Sequence, residues 1–232
     1  MSYVAEIDLA RVKAEEQRFI VKVYGWMSFG LVVTALVALA TAATPALWKL
    51  VVANRFVFFG LLIVQLLVVG SLVGWVGRMS AAVATGIFVL YAALNGLTFS
   101  VIFLAFTTAS IATTFFVTAG TFAAMSAYGY FTKRDLTSIG NLCFMALIGL
   151  IIASVVNLFW ANSTLYWVTT YAGILIFVGL TAYDTQKIKQ MNVIGNEGTD
   201  EDRKEAIVGA LALYLDFINL FLFLLRIFGR RR

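Results

Sequence analysis

Two carboxylates stand where hydrocarbon-spanning segments should carry no charge, and one guanidinium closes such a segment. Of the twelve acidic residues, ten fall in the polar N-terminal stretch or in connections between apolar runs. The exceptions are Asp184, near the end of the sixth run, and Asp216, inside the seventh. A carboxylate within a span costs about 2.5–3.5 kcal/mol on insertion scales, so it marks a functional site by default. At about 1.5 Å per residue, Asp184 lies roughly 5 Å in from Lys187 and Asp216 roughly 9 Å in from Ala210, on the same side. The two can meet at similar depth. Arg78 closes the second run on that face.

Two carboxylates within reach of each other in a low-dielectric site cannot both ionise easily, and they tend to share one proton. Arg78 would favour the anions. Such a pair is a natural pH sensor and offers hard oxygens to calcium. Because tight calcium sites take six to eight oxygens, two carboxylates suit transient binding on a permeation path. Plainer roles compete. Asp184 can pair with Lys187 at i,i+3, Arg78 can snorkel as an interfacial anchor, and Asp216 can bond to Asn219 or a neighbouring helix.

The elements that must position these groups follow from composition. The 232 residues are 62% apolar and only 12% charged, against about 45–50% and 25% in soluble domains. A helix needs about 20 apolar residues to cross the hydrocarbon. Seven stretches qualify: 21–43, 56–77, 81–105, 109–131, 139–161, 165–187 and 207–228. They are too long and too uniformly apolar for barrel strands, which alternate over roughly ten residues. The sequence therefore predicts an all-α integral membrane protein, with residues 1–20 as a cytoplasmic tail and 21–232 as one seven-helix domain. The longest connection is expected from about Ile188 to Ala206. Gly70 and Gly74 form a GxxxG pattern expected to pack within the bundle, and Gln65, Asn95 and Asn157 are expected to serve as interhelical glue.

With no histidine and a single cysteine, His-based triads, His-ligated zinc and internal disulfides are excluded, and no phosphate-binding glycine loop is present. The chain is not expected to be an enzyme or to carry a cofactor. The net charge of +5 suits lipid-facing basic loops rather than nucleic acid. Placing the N-terminus inside puts eleven of the seventeen Lys and Arg residues on the cytoplasmic side, the arrangement that loop charge favours.

The string Leu211-Ala212-Leu213-Tyr214-Leu215-Asp216-Phe217-Ile218-Asn219-Leu220-Phe221, followed by Leu224-Leu225-Arg226, closely resembles the C-terminal signature of the Bax inhibitor-1 family. Thr181-Ala182-Tyr183-Asp184-Thr185-Gln186-Lys187-Ile188 looks like that family's sixth-span motif. The acidic tail is most similar to the bacterial YccA-like branch of the inner membrane. The resemblance implies seven helices with the seventh central. It also implies a pH-sensitive calcium leak in which Asp184 and Asp216 form the sensor and Arg78, matched by position counted back from Asn95-Gly96, acts as a latch. The implied partners are the lipid bilayer and calcium or protons. A second implied role is that of substrate and modulator of the membrane protease FtsH, engaged through residues 1–20.

Overall fold

The computed structural model describes residues 2–191 and 193–232, with side chains from Arg11 onward; of the expected tail, Met1 and the side chains of residues such as Glu6 and Asp8 lie outside the described residues. Hydrocarbon offers the backbone no water, so each long apolar run satisfies its own N–H and C=O groups as a helix. Among the described residues, seven helices are long and apolar enough to cross a membrane. They are α1 (Ser2–Ala43), α3 (Arg55–Trp75), α4 (Ala81–Ala105), α5 (Thr108–Phe131), α6 (Thr137–Trp160), α7 (Ser163–Met191) and α8 (Asp200–Phe228). The short α2 (Pro45–Trp48) and a π-helical turn, Lys49–Ala53, connect the first two. The chain is an all-α, multi-pass membrane protein. Helix α8 is buried over 67% of its apolar window, against 44% for α4 and α7, which makes it the most buried span.

Boundaries depart from the apolar runs at two places. Helix α1 is continuous from Ser2, and α8 starts at Asp200. Helix thus occupies both ends of the stretch 188–206 that was expected to be a connection. Three acids, Asp200, Glu201 and Asp202, fill the first turn of α8, where the helix dipole favours negative charge. Asn54 caps α3 by accepting the N–H groups of Phe56 and Val57. Helix α6 ends at Ala161 in the left-handed region (φ 47°), and Asn157 Oδ1 accepts the Asn162 N–H there. Asn157 therefore caps its own turn rather than bridging helices.

One compact unit comprises the residues up to Ala105 together with Ile188–Tyr214. Its centre is Tyr214, wholly buried, with ring contacts to Phe88 and Tyr91 and its hydroxyl 2.7 Å from Thr34 Oγ1. Thr34 in turn reaches the carbonyls of Gly30 and Ala92. A Cβ on Gly96 would come within 2.7 Å of the Thr34 carbonyl oxygen, so α1 and α4 cross in near-backbone contact. Gln65 donates to the Leu94 carbonyl and Thr98, joining α3 to α4 as expected. Asn95 instead bonds back to Tyr91 on its own helix.

The second unit comprises Phe106–Lys187 and Leu215–Arg232. Its core is Leu150, Ile176, Phe177, Leu180, Leu220, Phe223 and Leu224. Small residues set its helix spacing: a Cβ on Gly129 would run into the Ala182 carbonyl, and one on Gly140 into the Tyr183 ring. Gly70 and Gly74, by contrast, are exposed with nothing within 4 Å. That corrects the expectation that the GxxxG pattern packs within the bundle.

Candidate functional site

Asp184 and Asp216 both belong to the second unit. On α7, Thr181 bonds back to Phe177. Gln186 Nε2 donates to the Arg134 carbonyl, while its Oε1 accepts the Leu136 N–H. One amide side chain thus ties α7 to the turn between α5 and α6. Gly129 and Gly140 let those two helices close on Ala182 and Tyr183, the residues just before Asp184. On α8, the Phe217 ring lies 5.6 Å from that of Phe115 and 5.4 Å from that of Phe122 on α5, which holds the adjacent Asp216 inward.

The consequence is that the two carboxyl groups face each other within hydrogen-bonding reach. Asp184 is half-buried and Asp216 is 4% exposed. Asp216 Oδ2 has no hydrogen-bond partner. Neither carboxylate forms an ion pair among the described residues; Lys187 Nζ instead lies 5.9 Å from the centroid of the Tyr183 ring. Asn219 bonds back to the Leu215 carbonyl, so the groups near Asp216 are the Asp184 carboxyl and, on α6, the Cys143 thiol. The structure brings the two aspartates together. Arg78 lies in the first unit, in the 3-10 turn Val76–Arg78, exposed and without an ion pair among the described residues.

Chemically, the pair offers up to four carboxylate oxygens or one shared proton in an apolar surrounding. No group of three or more His, Cys, Asp or Glu side chains positioned for a metal occurs among the described residues. Sequence reasoning missed Gln186, Gly129 and Gly140 as positioning residues. Gln186 lies inside the quoted sixth-span motif, two residues from the acid, and that proximity was the available signal.

The linker charges form a second constellation, within the first unit. Arg18 binds Glu197 through two hydrogen bonds of 2.7 and 2.9 Å, and Lys22 pairs with the buried Asp202 at 2.5 Å. Lys189 pairs with Glu16, and the Gly195 N–H donates to Glu15. Asp202 also accepts the Gly198 N–H, and Asp200 accepts the first N–H of α4, at Ala81, through both oxygens. The Arg18 hydrogen bonds hold the Glu197 carboxyl below the usual carboxylate range. Lys22–Asp202 and Thr34–Tyr214 share a separation of 180 residues, so α1 and α8 run parallel and in register.

A seven-helix membrane protein with an intramembrane carboxyl pair is the class that this fold and site define. The family profile described as inhibitor of apoptosis-promoting Bax1 matches residues 16–232. The chain is 53% identical to the inner membrane protein YbhL of Escherichia coli strain K12 over 225 residues, covering 97% of this chain and 96% of that one. It is 43% identical to a protein of Borreliella burgdorferi (97% and 99% covered) and 45% identical to one of Deinococcus radiodurans (92% and 90% covered). The chain belongs to the Bax inhibitor-1 family.

Proposed function

We propose that this protein is a pH-sensitive calcium leak channel of the bacterial inner membrane, gated by the Asp184–Asp216 pair, with its N-terminus in the cytoplasm. The observation that carries the reading is the meeting of two carboxyls inside one helical unit, one of them buried with an oxygen to spare. A single shared proton makes a strong, charge-assisted hydrogen bond between α7 and α8. Removing that proton leaves two like charges in low dielectric, and adding a second removes the charge that strengthens the bond. Either change loosens the hold of one helix on the other. Hard oxygens at this point suit the transient dehydration of a divalent cation. Arg78 is the proposed latch on the family resemblance alone. The name of the Escherichia coli relative supports the inner-membrane placement, and the distribution of Lys and Arg supports the orientation.

The test is calcium flux into liposomes holding purified protein, from about pH 5 to about pH 8, a range over which a perturbed carboxyl pair can titrate. Wild type should give flux that varies with pH, and Asp184→Asn and Asp216→Asn should lose most of that dependence. Unaltered pH dependence in Asp216→Asn would sink the gating mechanism. No flux above protein-free liposomes at any pH would overturn the channel reading in favour of FtsH modulation through residues 1–20. In that reading Glu15, Glu16 and Arg18, which are held by the linker, would have to be released first.

A further inference from the structure

Four threonine hydroxyls on α5 share a habit that Ser126 does not follow. Thr113, Thr114, Thr118 and Thr121 each donate to the carbonyl four residues earlier on their own helix. The hydroxyl of Ser126, a residue only 7% exposed, has no hydrogen-bond partner. Its place on the helix is informative. Phe122, four residues before it, touches Phe217, and Gly129, three residues after it, abuts the Ala182 carbonyl. Residues at these spacings share one helix face. Ser126 therefore lies on the stripe of α5 between its contact beside Asp216 and its contact two residues before Asp184. The second unpartnered buried oxygen in this unit is Asp216 Oδ2. Buried polar groups are paired as a rule, and an unpaired one calls for an explanation such as a bound ion or water.

We infer that Ser126 is the third side-chain oxygen of the Asp184–Asp216 site, and that its hydroxyl and Asp216 Oδ2 are kept free to bind a hard, partly hydrated divalent cation. The inference rests on the channel reading and names the ligand set of that site. Three oxygens, from α5, α7 and α8, leave the remaining positions of a calcium ion to water. A neutral hydroxyl supplies a ligand without adding a third charge to the apolar unit. It is also the ligand that loss of a charge would not touch, so its contribution separates from that of the carboxylates.

The experiment is equilibrium calcium binding to the purified full-length protein in detergent, for wild type, Ser126→Ala, Ser126→Thr and Asp216→Asn, with thermal stability measured on each. Wild type should bind saturably, Asp216→Asn should lose binding, and Ser126→Ala should need about tenfold more calcium for half-saturation, the lower end of what losing a supporting ligand contact costs. Ser126→Thr, which keeps the hydroxyl, should restore affinity. If Ser126→Ala binds as wild type does while Asp216→Asn does not bind, the Ser126 assignment falls and the aspartate site stands. Equal weakening in Ser126→Ala and Ser126→Thr, tracking lost thermal stability, also overturns it, as packing rather than ligation. Saturable binding that Asp216→Asn leaves intact, or none in wild type, overturns both the assignment and the calcium site beneath it.

Discussion

The Lys22–Asp202 pair is asymmetric, and the asymmetry can be measured. Asp202's side chain is 2% exposed and Lys22's is 30% exposed. Replacing Lys22 by Met keeps the stem but strands the carboxylate, whose side chain retains the Gly198 N–H as its one hydrogen-bond donor among the described residues. Removing one member of a buried ion pair costs about 3–5 kcal/mol. Because water reaches the lysine side of the pair and screens it, the low end applies, about 3 kcal/mol. Asp202→Asn leaves an ammonium that can turn to solvent, at a cost of about 1–2 kcal/mol. For a chain of this size each kcal/mol moves the midpoint by roughly 2–4 °C. Thermal unfolding in detergent should therefore show Lys22→Met down by roughly 6–12 °C and Asp202→Asn by roughly 2–8 °C. The double variant should be no worse than Lys22→Met alone, since the stranded charge is gone. Equal losses in the two single variants that add up in the double would refute this account.

Helix α5 offers two glycines of opposite character. Gly129→Ala forces a Cβ into the Ala182 carbonyl and should cost about 3 kcal/mol by overpacking, whereas Gly120→Ala, with nothing within 4 Å, should be neutral or stabilising in the same thermal assay. Tyr214→Phe removes only the bond to Thr34, which keeps its backbone acceptors, so a loss of about 1 kcal/mol is expected. A loss as large as the roughly 3–5 kcal/mol of Tyr214→Ala would show that the hydroxyl does more. At Glu197 the sign follows from Arg18. The folded-state pKa lies below the ordinary value, so this stabilisation is present above the ordinary carboxylate pKa and drains away as pH falls through the folded one. Amide exchange over residues 193–199, corrected for intrinsic rates, should speed up in that acid range. Glu197→Gln should exchange fast already at neutral pH.

The spans were legible because lipid leaves the backbone one economical solution and sets its length. Their ends were less so. An apolar-run criterion stops where the hydrocarbon does, whereas α1 and α8 continue as helix through charged residues such as Arg18 and Glu205. The three acids opening α8 were a capping signal read instead as a solvated linker. Asp216 was legible because it stands within the long apolar run 207–228, between Leu215 and Phe217, where an acid is costly. Ser126 was not, because a serine in a span ordinarily bonds to its own helix, and only the geometry reveals that this one does not. The GxxxG pattern misled for a related reason: spacing says that two glycines share a face, not which face. The glycines that bring helices together, Gly129 and Gly140, are single residues on different helices and form no pattern in the chain. Linker charges such as Glu197 were opaque because their partners are non-local.

That non-locality sets an order of events in synthesis. Lys22 and Thr34 enter the membrane with the first helix, yet Asp202 and Tyr214 are 180 residues further along. At the usual pace of about 5–20 residues per second, roughly 10–40 s pass before the ribosome supplies them. Throughout that interval the first helix carries an ammonium whose carboxylate partner does not yet exist, while the Thr34 hydroxyl has only its backbone acceptors. The helix inserted first is thus among the last to be finished, and a chain cut short anywhere before Asp202 exposes its fault at the opposite end, in α1. Any quality-control factor that inspects the nascent α1 would in effect be checking whether α8 has been made.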